Sequence, residues 1–127
     1  MKKIISTDNA PNAIGPYSQA VYINGQLYIS GQLPIDPETG KMPEGIKAQT
    51  EQALKNVKAI LEEAKFTMED VVKSTVLLKD IKDFGAMNEV YAEFYTSKHP
   101  ARAAYEVANL PLDAMVEIET IAVRMCK

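Results

Sequence analysis

The alternation of apolar and polar positions predicts a β-hairpin close to the start of the chain. The stretch YSQAVYINGQLYISG, residues 17–31, contains two alternating runs rich in β-branched and aromatic residues. Asn24-Gly25 separates the two runs, and this pair suits the positive φ angles of a two-residue hairpin turn. The next segment, PIDPETGKMPEG, is rich in turn-forming residues, so we expect a surface loop there.

Apolar residues at helical spacing predict two amphipathic helices further along the chain. Between them, Thr67 and Asp70 predict a capped turn, and VVKSTVLL predicts a buried strand. Asp83 is a candidate cap for the second helix. The apolar stripe of the first helix is Ile46, Ala53, Leu54, Val57, Ile60, Leu61 and Ala64, and that of the second is Phe84, Met87, Tyr91, Phe94 and Tyr95.

Two more strands follow, in PARAAYEVANLP, residues 100–111, and in MVEIETIAVRM, residues 115–125. The order of elements is strands, helix, strand, helix, strands. This order predicts an α+β fold in which two helices pack on one face of a mixed sheet. The length of 127 residues fits a single domain over residues 1–127.

The last strand predicts that the other face of the sheet is also covered. Its side chains alternate, and both sides are partly apolar. Two helices cannot easily cover both faces, so we expect the second face to pack against another copy of the chain. The residues on one side are Val116, Ile118 and Ala122, and those on the other are Ile121, Val123 and Met125.

Composition and charge narrow the class of protein. The net charge of -3 and the lack of a basic patch argue against nucleic-acid binding. No apolar run is long enough for a signal peptide or a membrane span. Cys126 is the only cysteine, which fits a reducing compartment, and nothing beside it would activate a thiol. We therefore expect a cytoplasmic protein.

The usual motifs for cofactor and metal chemistry are missing from the sequence. It has no glycine-rich phosphate loop, no cluster of cysteine and histidine ligands, and no serine in a nucleophile-elbow pattern. His99 is the only histidine, and its proline-flanked loop predicts an exposed residue rather than a catalytic one. We expect neither a cofactor nor a metal.

Several polar residues each have two interpretations. Arg102 could bind a ligand, although such a residue is more often solvated or paired with a carboxylate. Glu117 and Glu119 share one side of a strand, where they could form a site or line a wet surface. Asn88 could bind a ligand or satisfy a backbone group. Tyr17 could belong to the core or present its hydroxyl to a partner.

Four segments closely resemble the Rid family of reactive intermediate deaminases, the YjgF type. They are PARAAYEVANLP, the MVEIE that follows it, IGPYSQA and ISGQ. The resemblance extends along nearly the whole chain. It implies a chorismate-mutase-like α+β fold, a homotrimer, and active sites in the clefts between subunits, in agreement with the apolar second face.

The resemblance also implies a reaction. Family members of the RidA group hydrolyse enamines and imines such as 2-aminoacrylate to 2-oxo acids and ammonia, without a cofactor. By position, Arg102 would hold the substrate carboxylate and Glu117 would handle the water or its proton. The expected pocket lining is Tyr17, Ser30, Gly31 and Asn88. Many relatives have a cysteine where this chain has Ala104, so a thiol contribution is absent there.

These residue types suit the implied chemistry. An imine is already electrophilic, so it needs orientation, a water molecule and proton transfer rather than a strong nucleophile. The guanidinium fork of Arg102 matches both oxygens of a carboxylate, and a strand fixes its direction. Gly31 lacks a Cβ, which would let backbone groups approach a small ligand.

Two other functions remain open at this stage. The chain could be a regulatory module that binds 2-oxo acids in the Arg102 pocket without turnover, but such a module would not require Glu117. A ribonuclease or translation-inhibitor activity has been attached to relatives. The acidic balance of the chain and its lack of a usable histidine weigh against that activity.

Overall fold

The computed structural model describes residues 1–124, in which six strands and two α-helices form an α+β fold. The expectations for Met125 and Cys126 lie outside the described residues. The strands are β1 Lys3–Ile5, β2 Ala20–Ile23, β3 Gln26–Gln32, β4 Val71–Leu78, β5 Ala101–Glu106 and β6 Val116–Val123, and the helices are α1 Ile46–Glu63 and α2 Phe84–Phe94.

The six strands form one mixed sheet in the order β1-β2-β3-β6-β4-β5. All neighbours are antiparallel except β4 and β5, which are parallel. Such a parallel pair needs a crossover connection, which α2 supplies. The predicted mixed sheet with two helices is confirmed. Strand β1 was not predicted, because three residues are too short for an alternating pattern to be visible.

The hairpin between β2 and β3 is confirmed. Asn24 and Gly25 have φ angles of 49° and 79°, as a two-residue turn of this kind requires. A Cβ on Gly25 would also lie 2.8 Å from the carbonyl oxygen of Arg124. Glycine is therefore favoured there by both backbone conformation and space.

The hydrophobic core lies between the two helices and one face of the sheet. The apolar stripe of α1 is buried against that face, as predicted, and the alternation along β6 is confirmed for the described residues. Full burial of a leucine or isoleucine side chain contributes about 1.5–3 kcal/mol. The fully buried core includes Leu54, Val57, Ile60, Leu61, Val76, Val116, Ile118 and Ala122.

One of the two predicted caps is confirmed and the other is corrected. The Asp70 carboxylate accepts a hydrogen bond of 2.8 Å from the backbone N–H of Thr67. Asp83 precedes α2 as predicted, but its side chain makes no capping hydrogen bond. Its backbone is already close to helical, with φ -82° and ψ 0°, because Asp83 is the last residue of a short 3-10 turn. The capping carboxylate is instead Asp80, which accepts from the N–H of Lys82 at 2.9 Å.

The second face of the sheet carries a mixture of apolar and acidic side chains, and neither helix packs on it. Ile121 and Val123 are half-buried there, beside Glu117 and Glu119. Tyr28, which pairs with Ile121, is 41% exposed. In the part of the chain that the structure describes, no helix combines the length and apolar character needed to cross a membrane.

Candidate active site

The structure divides the six candidate residues between two depressions. Tyr17, Ser30, Gly31 and Glu117 line a cavity of about 470 Å³, the glutamate cavity. Asn88 and Arg102 line a second depression of about 380 Å³, the arginine depression. Each of the six predicted site residues therefore lines a concave surface, but within one chain they are divided between two separate surfaces.

An irregularity in β3 forms the floor of the glutamate cavity. The pairing of β3 with β6 shifts register between Ile29 and Gln32, so Ser30 and Gly31 leave the regular ladder. Ser30 is held in place because its N–H donates to the carbonyl of Gln19 at 2.9 Å and its hydroxyl donates to the carbonyl of Ser18 at 2.6 Å. Bulges of this kind often re-aim groups next to functional sites.

Gly31 makes room for the side chain of Glu117. A Cβ built on Gly31 would lie 2.4 Å from Oε2 of Glu117 and 2.9 Å from its Cδ. The lack of a Cβ at Gly31 is expected from the sequence to let backbone groups approach a small ligand, whereas in the structure the carboxylate of Glu117 occupies the space where the Cβ would lie. Glycine at this position thus sets the position of the glutamate.

Glu117 has an increased affinity for protons. The side chain is half-buried, and this desolvation raises the pKa of Glu117. The like charge of Glu119 on the same side of β6 raises that pKa further. No cation pairs with Glu117 within residues 1–124. A carboxylate with a raised pKa holds a proton more readily than an exposed one, which suits a group that accepts and returns a proton.

Two buried amides hold the walls of the glutamate cavity, and the sequence analysis missed both. Gln19 accepts from the N–H of Thr7 at 2.8 Å and donates to the carbonyls of Thr7 and Pro11 at 3.0 and 2.8 Å. Asn56 of α1 donates to two carbonyls in residues 33–35, at 3.0 and 2.9 Å. Buried amides give no local signal, since asparagine and glutamine are ordinarily surface residues.

Two exposed apolar side chains also line the glutamate cavity. Ile14 is 87% exposed and Leu112 is 68% exposed. Leu112 also has a φ of 56°, a conformation that is unfavourable for a non-glycine residue. Large apolar side chains left in water beside a cavity are typical of a surface that another molecule covers.

The arginine depression is built around a positioned guanidinium group. Nη1 of Arg102 donates to Oδ1 of Asn88 at 2.7 Å. The guanidinium lies 4.8 Å from the ring centroid of Tyr91 and 5.3 Å from that of Phe84. His99 lines the same depression and is exposed, as predicted.

Arg102 and Glu117 project from opposite faces of the sheet. Arg102 is next to Ser74 in the parallel pairing of β5 with β4, and its guanidinium contacts α2, so it faces the helices. Glu117 alternates with the buried Val116 and Ile118, so it faces away from them. Strand spacing and rise place their backbones about 10 Å apart across the sheet and about 10 Å apart along it. Both groups can therefore contact one small substrate only if they come from two chains.

The described residues offer no alternative centre built on a metal. Within residues 1–124, no three histidine, cysteine, aspartate or glutamate residues are grouped so that they could hold an ion. The described side chains that line the two depressions supply a carboxylate, a guanidinium group, an imidazole, amides and hydroxyls.

The sequence and the fold are both similar to known proteins. Residues 7–124 match the family model described as Endoribonuclease L-PSP. A RutC family protein of Pyrococcus horikoshii is 56% identical over 96% of this chain and 98% of its own length. The 2-iminobutanoate/2-iminopropanoate deaminase of Salmonella typhimurium is 50% identical over 98% of this chain and 99% of its own length. A Yersinia pestis protein described as a member of the conserved Rid protein family has a structure with a TM-score of 0.95 and 47% identity, covering 98% of this chain and 100% of that one.

Proposed function

This chain belongs to the Endoribonuclease L-PSP family, which includes the Rid proteins, and on that premise we propose that it is a deaminase of 2-imino and 2-enamino acids. Its products would be 2-oxo acids and ammonia, and 2-aminoacrylate is the proposed test substrate. The main support for the proposal is Glu117, which is half-buried in the glutamate cavity and has a raised pKa. Within residues 1–124, no cationic side chain forms an ion pair with it. A purely carboxylate-binding protein has no use for such a group.

The proposed reaction begins with binding of the substrate carboxylate. Arg102 donates one N–H to Asn88, and its other donors are available to both carboxylate oxygens. The imine tautomer then presents C2 to a water molecule. The imine is protonated on nitrogen; Glu117 removes a proton from the water as its oxygen bonds to C2, and the electron pair of the C=N bond moves onto nitrogen to give a neutral amine.

Release of ammonia completes the reaction. Glu117 returns the proton to the amine nitrogen of the tetrahedral intermediate, the C–N bond breaks, and the hydroxyl on C2 passes its proton to the released ammonia as the carbonyl forms. The same carboxylate therefore acts first as a base and then as an acid, and it ends in its starting form. A raised pKa supports both steps, because proton transfer is most efficient when the pKa is near the working pH.

We also propose that the active site forms between subunits of a homotrimer. The arginine depression of one subunit would face the glutamate cavity of the next, and three such head-to-tail contacts would close a ring. The uncovered sheet face supports this arrangement, as do the exposed Ile14 and Leu112 beside the cavity. The site of a single chain is incomplete without its neighbour.

Light scattering at micromolar concentration should give a mass about three times that of one chain. The physical reason is that burial of the second sheet face removes its apolar side chains from water. A monomeric mass with full activity would contradict both the trimer and the location of the site between subunits.

A coupled assay tests the proposed activity. A serine or threonine dehydratase generates 2-aminoacrylate from serine, and pyruvate formation is followed with and without this chain. We expect pyruvate to appear faster in proportion to the amount of chain added. No acceleration, together with measurable binding of 2-oxobutanoate, would instead identify a regulatory module that binds 2-oxo acids.

Replacing Glu119 with glutamine should shift the acidic limb of the pH profile of kcat/KM to lower pH. Glu117 acts as a base only above its pKa, and the charge of Glu119 raises that pKa. Removal of this charge therefore lowers the pKa and extends activity to more acidic conditions. Glu44→Gln is the control, since it makes the same charge change in an exposed loop. An unmoved limb, or one moved to higher pH, would contradict the proposed coupling.

Replacing Gly31 with alanine should lower turnover by up to about 100-fold without unfolding the chain. The added Cβ would clash with the end of the flexible Glu117 side chain, which can rotate away and leave its working position. Displacement of a reacting group by about 1 Å can cost a factor of about 100 in rate. Gly85→Ala is the matched control, because its Cβ would meet no atom within 4 Å. Wild-type turnover in Gly31→Ala would show that the position of Glu117 is not critical.

A further inference from the structure

Helix α2 surrounds the guanidinium of Arg102 with three side chains. Phe84, Asn88 and Tyr91 follow the spacing i, i+4, i+7, so they lie on one side of the helix. The amide of Asn88 accepts one hydrogen bond from Arg102, and the guanidinium also contacts the two aromatic rings. Phe84, Asn88 and Tyr91 together form the aromatic cradle of Arg102.

The Tyr91 ring is itself fixed in position. Its side chain is buried, with 5% exposure, and it packs against Tyr95 with the ring centroids 4.6 Å apart. The Tyr91 hydroxyl is buried close to the hydroxyl of Ser74. Within residues 1–124, neither hydroxyl makes a hydrogen bond. The ring of Tyr91, rather than its hydroxyl, therefore holds the arginine.

The cradle holds Arg102 without neutralising it. Within residues 1–124, no carboxylate lies at ion-pair distance from its guanidinium. A carboxylate partner would fix the side chain equally well, but it would compete with a substrate carboxylate. Aromatic faces attract a cation through their quadrupole and leave its net charge and its outward N–H groups available.

We propose that Phe84 and Tyr91 are positioning residues that hold the charged fork of Arg102 ready for a substrate carboxylate. The inference rests on the proposed role of Arg102 as the carboxylate anchor. Preorganisation of the fork removes the entropic cost of ordering a long, flexible side chain when the substrate binds. The cradle thus sets the affinity for the carboxylate, whereas Glu117 sets the rate of the chemical step.

Replacement of either aromatic ring of the cradle should weaken binding of the substrate carboxylate. Phe84→Leu and Tyr91→Leu should each raise KM, and the dissociation constant of 2-oxobutanoate, by about 3- to 30-fold, with a smaller effect on kcat. Tyr91→Phe keeps the aromatic ring, so its affinity for 2-oxobutanoate should stay close to that of the wild-type chain. Phe94→Leu is the matched control, because Phe94 is a half-buried aromatic residue of α2 that packs on the core.

Nuclear magnetic resonance of the guanidinium tests the cradle independently of enzyme activity. The Nε–Hε signal of Arg102, assigned by its loss in Arg102→Lys, should be sharp and slowly exchanging in the wild-type chain, in Tyr91→Phe and in Phe94→Leu. It should broaden or exchange rapidly in Phe84→Leu and Tyr91→Leu. A signal and a 2-oxobutanoate affinity that stay unchanged in both leucine variants would overturn the inference. Because this test needs no turnover, a failure of the proposed deaminase activity alone would leave its result valid.

Discussion

Replacing Glu117 with glutamine should lower turnover of 2-aminoacrylate by about 10²- to 10⁴-fold, the usual contribution of general acid–base assistance. Glutamine preserves the volume of the side chain, but it cannot accept and return a proton. Binding of 2-oxobutanoate should be retained, because its proposed carboxylate anchor, Arg102, lies on the other face of the sheet. The measurements are the rate of the coupled pyruvate assay and calorimetric titration with 2-oxobutanoate.

Glu119→Gln is the matched variant for this prediction. Glu119 is exposed and lies two residues after Glu117 on the same side of β6. Removal of its charge should change the pH profile and affect the maximal rate much less than Glu117→Gln does. Oligomer mass should be checked for both variants. Wild-type turnover in Glu117→Gln, or a larger loss in Glu119→Gln, would show that the proton-transfer role has been assigned to the wrong residue.

Replacing Arg102 with lysine should be nearly as harmful as replacing it with alanine. Lysine keeps the charge, but it lacks the planar fork that binds both carboxylate oxygens. It also cannot reproduce the combined contacts of the guanidinium with Asn88 and the two rings of the cradle. Each hydrogen bond to a charged group contributes about 1.5–3 kcal/mol, so productive binding should weaken at least about tenfold. Values of kcat/KM for the two variants provide the comparison.

The decisive observation for Arg102 is the difference between the two substitutions. A lysine variant with wild-type kcat/KM would show that charge alone suffices and would remove the anchoring role. Lys82→Ala, an exposed change in the 3-10 turn before α2, controls for the loss of a positive charge near the helix.

Features set by local sequence could be predicted, and those set by pairing between distant segments could not. The turn at Asn24-Gly25 and the stripe of α1 depend on residues that are neighbours in the chain. Whether Arg102 faces the helices depends on the parallel register of β5 against β4, which no local pattern specifies. The division of the candidate residues between two faces of the sheet therefore became visible only in the structure.

In the candidate site, too, residues could be predicted from the sequence, but contacts between distant segments could not. The family resemblance implied roles for Arg102 and Glu117, which the residues alone left ambiguous, and these roles stay predictions. The aromatic stripe of α2 predicts a helix face, but the sequence could not show that Phe84 and Tyr91 contact Arg102. Nor could it show that Gly31 makes room for Glu117, because that contact joins two strands far apart in the sequence.

Mixing two variants that are each expected to be inactive tests the proposed site between subunits most directly. Chains with Arg102→Ala and chains with Glu117→Gln are given different affinity tags, co-expressed, and purified through both tags so that only mixed assemblies remain. In a ring of three, one contact joins an intact Arg102 to an intact Glu117, so the account predicts about one third of wild-type deaminase activity. Mixed assemblies no more active than the separate variants would contradict it, because they would show that both residues must come from the same chain.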